Sequence, residues 1–332
     1  MKAAFINSVG PATNIQYGDV PVPQPGPGQV LVRVEAAAVN PIDTYIRSGI
    51  VRAQLPQPYI VGCDLCGVVA AVGSGAVRLR PGDRVWGSNQ GLAGRQGTFA
   101  EYCAVDECWL YQVPAMVASE VAAAGALVGI TAHLGLFLHA GLKAAEIVFV
   151  NGGTGGVGSA VVQLAKAAGA VVITTAGSDT KAAACHEMGA DFVIQYRSEN
   201  VEERLQQITA RTGPISLWFE TLRAPSLDRS VALLAKRGRI VLMAGRDARP
   251  EFPVGPFYVK DLRAIGFAMF NASPEEQRVA AEGLNGLLAA GKWKPSIGVR
   301  MNFSEAARAH ELQEANTLHG AGTLSGKIVL HP

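Results

Sequence analysis

Apolar positions along this chain follow two different rhythms. Over residues 1–120 they fall in short β-type runs at 2–6, 29–37, 68–72, 84–86 and 98–105, separated by Pro and Gly. The segment Pro21-Val-Pro-Gln-Pro-Gly-Pro-Gly28 cannot join a central strand, because proline lacks the N–H that a ladder needs. Gly62, Gly67, Gly73, Gly75 and the Pro81-Gly-Asp83 turn punctuate the rest. Many short strands at this spacing predict a compact, largely β, barrel-like unit.

An Ala-rich helix is predicted at 119–138, and beyond it strands alternate with helices. The strands are expected at 147–150, 170–175, 192–195, 215–220, 238–244 and 262–269. Helices at 181–188, 199–210 and 228–235 lie between them. Six such strands with crossover helices predict a parallel, doubly wound sheet. The stretch 274–290 carries its own helix signals: Ser273 as cap, Pro274 at the first position and Gly291 as stop. The tail reads as a helix over 304–314 and a closing strand over 326–330.

A chain of 332 residues is long for a single core, so two domains are expected. Hydrophobic content of 49% with 17% charged residues fits a soluble globular protein. Twenty-nine basic against 27 acidic side chains, a net charge of +2, argues against a nucleic-acid or membrane surface. The longest apolar run, 121–138, approaches membrane-span length, but Ala and Gly dominate it and Thr131 and His133 sit near its middle. A buried helix at a domain junction is the better reading. No basic N-terminal segment leads into an apolar core, and the five cysteines are an odd number spread over a long chain; a reduced, cytoplasmic setting is expected.

The chemistry concentrates at Ile147-Val-Phe-Val-Asn-Gly-Gly-Thr-Gly-Gly-Val-Gly158. A β-branched run enters a glycine cluster almost without spacer, leaves into a helix and meets a second strand within about thirty residues, the context of a dinucleotide fold. Gly153, Gly155 and Gly158 spell G-x-G-x-x-G. The first allows a sharp turn, the second lets backbone N–H groups approach a pyrophosphate, and the third lets helix and strand pack closely. The helix N-terminus then offers unpaired N–H groups to an anion.

Further stretches fall in register with one another: Asn40-Pro-Ile-Asp-Thr-Tyr-Ile-Arg-Ser-Gly49, Gly62-Cys-Asp-Leu-Cys-Gly-Val-Val69, Pro81-Gly-Asp-Arg-Val85, Gly97-Thr-Phe-Ala-Glu-Tyr102 and the glycine turn. Together the chain resembles the zeta-crystallin-like NADPH:quinone oxidoreductases, a zinc-independent branch of the medium-chain dehydrogenase/reductase superfamily. The resemblance runs from Met1 to Gly326-Lys-Ile-Val-Leu330, and the stretch around Tyr45 is its most diagnostic part. It implies an α/β fold in which a Rossmann domain, 123–269, is inserted into a GroES-like, mainly β catalytic domain formed by 1–122 with 270–332 returning to it.

NAD-preferring sites place Asp or Glu at the end of the second strand to hold the ribose 2′-OH. Here Thr175-Ala-Gly-Ser178 occupies that position, with no acid until Asp179. The resemblance places Gly177, Ser178, Lys181 and Tyr196 around a 2′-phosphate, which implies NADPH. Relatives often add an Arg near the C-terminus, where this chain has Leu318-His319-Gly320. By matching position Thr154, Gly155, Gly156 and Val157 meet the pyrophosphate. Met243, Ala244 and Gly245, with Phe267, Ala268 and Met269, face the nicotinamide side. Zinc-dependent relatives carry Cys near Asn40 and Gly-His-Glu at Gly62-Cys63-Asp64; with Asn and Cys at two of those positions, no metal is expected.

Without a Lewis acid, hydrogen-bond donors must stabilise charge growing on the acceptor oxygen. Asn40 and Tyr45 are the candidates, and Thr131 matches a position near the nicotinamide; Asp43 reads as a cap for the following turn. The expected function is hydride transfer from NADPH to a quinone or related α,β-unsaturated carbonyl compound. Alternatives are an enoyl-thioester or enone reductase on the same scaffold, or an NADPH-binding crystallin-like protein with little turnover. The partners expected are a small-molecule substrate and further copies of the chain, as a homodimer or homotetramer joined at a sheet edge such as 262–269.

Overall fold

The computed structural model describes all 332 residues. They divide into two compact units, Met1–Ile130 with Ser273–Pro332, and Thr131–Ala272. The first unit begins with strands Lys2–Ile6 (β1), Gln16–Asp19 (β2) and Gln29–Ala38 (β3), then helix Pro41–Ser48 (α1). Strands Tyr59–Ile60 (β4), Asp64–Val72 (β5), Arg84–Gly87 (β6), Tyr102–Asp106 (β7) and Leu110–Gln112 (β8) follow, before helix Ser119–His133 (α2). In the second unit strands Ile147–Asn151 (β9), Val171–Ala176 (β10), Phe192–Gln195 (β11), Ile215–Glu220 (β12), Leu234–Leu242 (β13) and Arg263–Gly266 (β14) alternate with helices. Those helices are Gly156–Ala167 (α3), Asp179–Glu187 (α4), Val201–Thr212 (α5), Leu227–Leu233 (α6) and Val254–Val259 (α7). Helix Pro274–Ala289 (α8), strand Ile297–Asn302 (β15), helix Ala306–Thr317 (α9) and strand Lys327–His331 (β16) return to the first unit.

The second unit holds one six-stranded sheet in the order β11-β10-β9-β12-β13-β14, every pair parallel. The order reverses between β9 and β12, the switch point at which an open α/β sheet leaves a crevice beyond its strand ends. Its strands read as nearly continuous apolar runs because both faces are covered: Phe149, Ile173, Ile194, Trp218 and Ile240 share one core, and the Phe149 ring packs tilted against Trp218 at 4.2 Å. Arg239 is buried in this unit, donating to Glu146 through two nitrogens at 2.6 and 2.9 Å and to Ala140 O at 3.0 Å.

In the first unit the main sheet runs β15-β16-β3-β5-β6-β8, with β7 also on β3, and a smaller sheet is ordered β2-β1-β4. The closing strand β16 pairs with the end of β3, Val329 opposite Ala38, while Ala38 also faces Asp64 of β5. Three remote parts of the chain therefore meet where α1 begins. The apolar run is helical over Ser119–His139, most of it buried, and ends in a π-helical turn, Leu134–His139. Gly125 and Gly129 lie against the buried Trp293 ring, where a Cβ would come closer than 3.0 Å, so the small residues of α2 admit an aromatic side chain.

Several predicted boundaries move. The strand expected over 98–105 starts only at Tyr102, because residues 97–101 make irregular main-chain bonds to 2, 4, 34, 60 and 61 instead. The strand expected over 262–269 ends at Gly266, and that expected over 238–244 begins already at Leu234. Helix α1 and strand β15 appear without having been predicted: the first is eight residues long, too short for its periodicity to stand out.

Candidate active site

In the second unit β9 runs into Gly152, whose φ of +90° is a left-handed turn that glycine adopts without strain. Gly152 N–H donates to Thr175 Oγ1 at 2.9 Å and Gly153 N–H to Thr175 O at 3.1 Å, so the turn hangs on the end of β10. Thr175 in turn donates to Asn151 Oδ1 at 3.1 Å, and the Asn151 amide donates to Glu220 at 3.0 Å. A Cβ on Gly153 would overlap Thr174 Oγ1, and one on Gly158 would overlap the Gly152 carbonyl oxygen. Gly155 is different: it caps α3, and around it only the Gly152 oxygen lies within ordinary contact at 3.5 Å. The first intrahelical bond is Ser159 N–H to Gly155 O, which leaves the N–H groups of Gly156, Val157 and Gly158 at an open helix start. This is a main-chain cradle for a pyrophosphate.

The end of β10 carries the second contact set. Ser178 caps α4 by accepting from Lys181 N–H at 3.3 Å, and Lys181 is half-buried. Tyr196 N–H donates to Ala176 O at 3.1 Å, and the phenol lies so close over Gly177 that a Cβ there would overlap it. Gly177, Ser178, Lys181 and Tyr196 thus gather at one strand end, where the nearest acid along the chain, Asp179, is exposed. Met243, Ala244 and Gly245 follow β13; Gly245, at φ +82°, sits against Arg223 O. Phe267 follows β14 and packs at a tilt against His139 at 4.6 Å, with Ala268 exposed and Met269 buried. Thr131 is buried in the last turn of α2, just before the π-helical turn.

In the first unit α1 carries Tyr45, half-buried. Asn40 caps the helix and Asp43 returns the bond, accepting from Asn40 N–H at 2.7 Å. The Asn40 side chain is fully enclosed and engaged at both ends. Its nitrogen donates to Asp64 Oδ2 at 2.8 Å and Ala38 O at 3.3 Å; its oxygen accepts from Lys327 Nζ. An amide with both ends held inside one unit has no free N–H to offer an acceptor, and its evident work is to hold α1 in place. Further along α1, the buried Arg47 donates to Gly10 O and pairs with Glu314 of α9.

Zinc does not fit this pocket. Burial holds the Cys63 thiol well above its ordinary value, with Asp43 adding to the effect. Burial also pushes the Asp43 carboxyl up to about 7 and raises Asp64, the Lys327 ammonium opposing both. A neutral thiol, an amide and two carboxylates around a lysine ammonium are not a ligand set for a Lewis-acidic metal. Sequence reasoning passed over Lys327 and Glu220, and it met Asp64, Thr175 and Asn151 only as members of motifs, without the hydrogen bonds they make. Lys327 could have been noticed as a cation inside the otherwise apolar Lys-Ile-Val-Leu run of the closing strand.

A GroES-like β unit interrupted by a six-stranded Rossmann sheet, with a glycine turn at its switch point, defines a medium-chain dehydrogenase/reductase. Residues 26–115 match the alcohol dehydrogenase GroES-like domain and residues 156–284 the zinc-binding dehydrogenase domain. Human quinone oxidoreductase is 33% identical over 321 residues, 97% of this chain and 94% of that protein. The crystal structure of Escherichia coli quinone oxidoreductase complexed with NADPH superposes with a TM-score of 0.86 at 28% identity, over 100% of both chains. That of an NAD-dependent alcohol dehydrogenase gives 0.88 at 29%, again over 100% of both. The chain belongs to the quinone oxidoreductase family.

Proposed function

We propose that this protein transfers hydride from NADPH to a quinone or a related α,β-unsaturated carbonyl compound. The observation that carries the reading is the end of β10: Gly177, Ser178, Lys181 and Tyr196 converge there and no carboxylate stands where an NAD site holds its ribose. A 2′-phosphate would meet a lysine, a capping hydroxyl and a phenol instead of a repelling acid. The human relative's activity and the NADPH in the E. coli structure support the same reading.

Bound NADPH supplies the hydride; the chain's task is to hold, orient and shield. Gly153, Thr154, Gly155, Gly156, Val157 and Gly158 bind the pyrophosphate through main-chain N–H groups. Met243, Ala244, Gly245, Phe267, Ala268 and Met269, at the ends of β13 and β14, line the nicotinamide end, with Thr131 beside it. Tyr45 donates to the acceptor oxygen. Asn40 acts through α1, fixing the helix on which Tyr45 stands. No side chain is an obligate general acid, so water delivers the proton.

The test is NADPH oxidation measured side by side with quinones, short enones and acyl-CoA enoyl thioesters. Fastest turnover with quinones or free enones is expected; exclusive use of thioesters would remove the proposal. Tyr45→Phe should lower kcat about 10-fold, or about 1.4 kcal/mol of barrier, with NADPH affinity intact. Unchanged turnover would take Tyr45 out of the mechanism.

A further inference from the structure

The carboxyl ends of three adjacent strands, β10, β9 and β12, are tied together by one line of side-chain hydrogen bonds. Glu220, the last residue of β12, stands opposite Asn151, the last residue of β9. It is 2% exposed, and its carboxylate accepts from three N–H groups: Asn151 Nδ2 at 3.0 Å and Trp218 Nε1 at 3.1 Å on Oε2, and Leu222 N–H at 2.8 Å on Oε1. Burial raises this carboxyl, while the three N–H groups and the charge of Arg229 in α6 oppose the shift. An ionised carboxylate can only accept. The Asn151 amide therefore turns its nitrogen to Glu220 and its oxygen away, where Thr175 Oγ1 donates to it at 3.1 Å. With its proton committed there, the Thr175 oxygen turns a lone pair to Gly152 N–H, 2.9 Å away. The direction of each hydrogen bond follows from the one before, and the line ends on the first glycine of the turn.

We propose that Glu220 and Asn151 are positioning residues for the cofactor: the carboxylate orients the amide, the amide orients the Thr175 hydroxyl, and the hydroxyl holds Gly152 so that the helix start meets the pyrophosphate. This rests on the turn being the pyrophosphate cradle, and it extends the site to two side chains that act through a third. The charge of Glu220 matters because, of its three partners, only the Asn151 amide can turn round; an indole and a main-chain N–H only donate. A neutral amide at position 220 places an NH2 before them, and the Asn151 oxygen swings round to accept from it. The Asn151 nitrogen then faces Thr175 Oγ1 and competes with Gly152 N–H for the same oxygen.

The experiment is fluorescence titration of the full-length protein with NADPH and with NADH, in a cycle of Glu220→Gln, Asn151→Leu and the double variant. Affinity for both dinucleotides should weaken ~3-fold in Glu220→Gln and ~5-fold in Asn151→Leu, the scale of one net hydrogen bond. The double variant should be no weaker than Asn151→Leu, because the carboxylate then has nothing left to orient. A Glu220 that acts only through Leu222 or the core gives multiplied losses of ~15-fold in the double variant, and that result overturns the proposal. So does a loss confined to NADPH, which would place the effect at the 2′-phosphate. Should Glu220→Gln not fold, Asn151→Leu and Thr175→Val decide in the same way. One line of bonds predicts that Asn151→Leu costs nothing further once the Thr175 hydroxyl is gone; multiplied losses overturn it. A wild type that binds neither dinucleotide removes the cradle and the proposal together, whereas multiplied losses beside normal wild-type binding remove only the role of Glu220 and Asn151.

Discussion

The glycine turn at 152–158 and the pocket at the start of α1 are built from opposite materials. The turn is main chain: its shape comes from consecutive residues whose missing side chains let a strand, a helix start and a neighbouring strand end crowd together. The pocket is side chain: Asn40, Asp64 and Lys327 arrive from three distant segments, and charge rather than shape holds them. A site of the first kind tolerates most side-chain changes and fails on a single added methyl. A site of the second kind depends on each partner's charge and therefore on pH.

The sharpest way to break this contrast is Gly158→Val. Its Cβ would overlap the Gly152 carbonyl oxygen, and main chain cannot step aside as a flexible side chain can. NADPH affinity measured by fluorescence titration should fall ~100-fold, about 2.8 kcal/mol, while Val157→Ala stays near wild type. Equal losses in the two variants would show that the turn is not a main-chain site.

The side-chain region should reveal itself through pH. His310 of α9 is fully buried, edge-on to Phe99 at 6.0 Å, and neither ring nitrogen has a partner. Burial, with the Arg47 guanidinium adding to it, pushes the imidazole down from 6.5 to about 3. Folding thus excludes a proton that the unfolded chain binds. The resulting stability is fully present above pH 6.5 and is lost as pH falls toward 3. Between pH 7 and pH 5 this group alone should remove about 2 kcal/mol. Urea unfolding at both pH values should show wild type losing that much more than His310→Gln; parallel losses would mean the ring is protonated in the fold.

The same contrast explains what could be read from the chain alone. Gly153, Gly155 and Gly158 were legible because only glycine fits their positions and the flanking strands are apolar throughout. The six-stranded sheet followed from that rhythm, as did the β-rich first unit. Helix α1 was hidden by its shortness, although Asp43 was read as a cap for the turn that follows Asn40. Asn40 was legible as important, but not as an amide held at both ends, because the partner that holds its oxygen lies in the last strand. Arg239 and Glu146, 93 residues apart, were equally silent. Long-range charge pairs have no periodicity and no spacing, so nothing in a linear pattern announces them.

Cofactor choice gives a smaller effect that sharpens the comparison. The main-chain cradle cannot tell NADPH from NADH, since both present the same pyrophosphate; discrimination must come from side chains at the end of β10. Lys181→Ala should raise the Michaelis constant for NADPH ~10-fold, about 1.4 kcal/mol, and leave that for NADH nearly unchanged. The structural likeness to an NAD-dependent alcohol dehydrogenase makes this the decisive residue to test. Equal effects on both cofactors would move the 2′-phosphate elsewhere.

The finest test concerns the side chain on which the start of the turn hangs. Thr175 Oγ1 accepts from Gly152 N–H and donates to Asn151 Oδ1, and Asn151 is itself anchored on Glu220, whose carboxylate also accepts from Trp218 Nε1 and Leu222 N–H. Thr175→Val keeps the shape and removes one donor and one acceptor. Gly153 N–H still donates to the main-chain oxygen of residue 175, so the turn retains half its attachment. One net hydrogen bond is worth about 1 kcal/mol, and NADPH affinity should weaken by ~5-fold. NADH affinity should weaken equally, because the loss falls on the shared pyrophosphate cradle and not on the phosphate pocket. A loss approaching that of Gly158→Val would instead make the cradle a side-chain construction, and the difference between the two regions would then be one of burial alone.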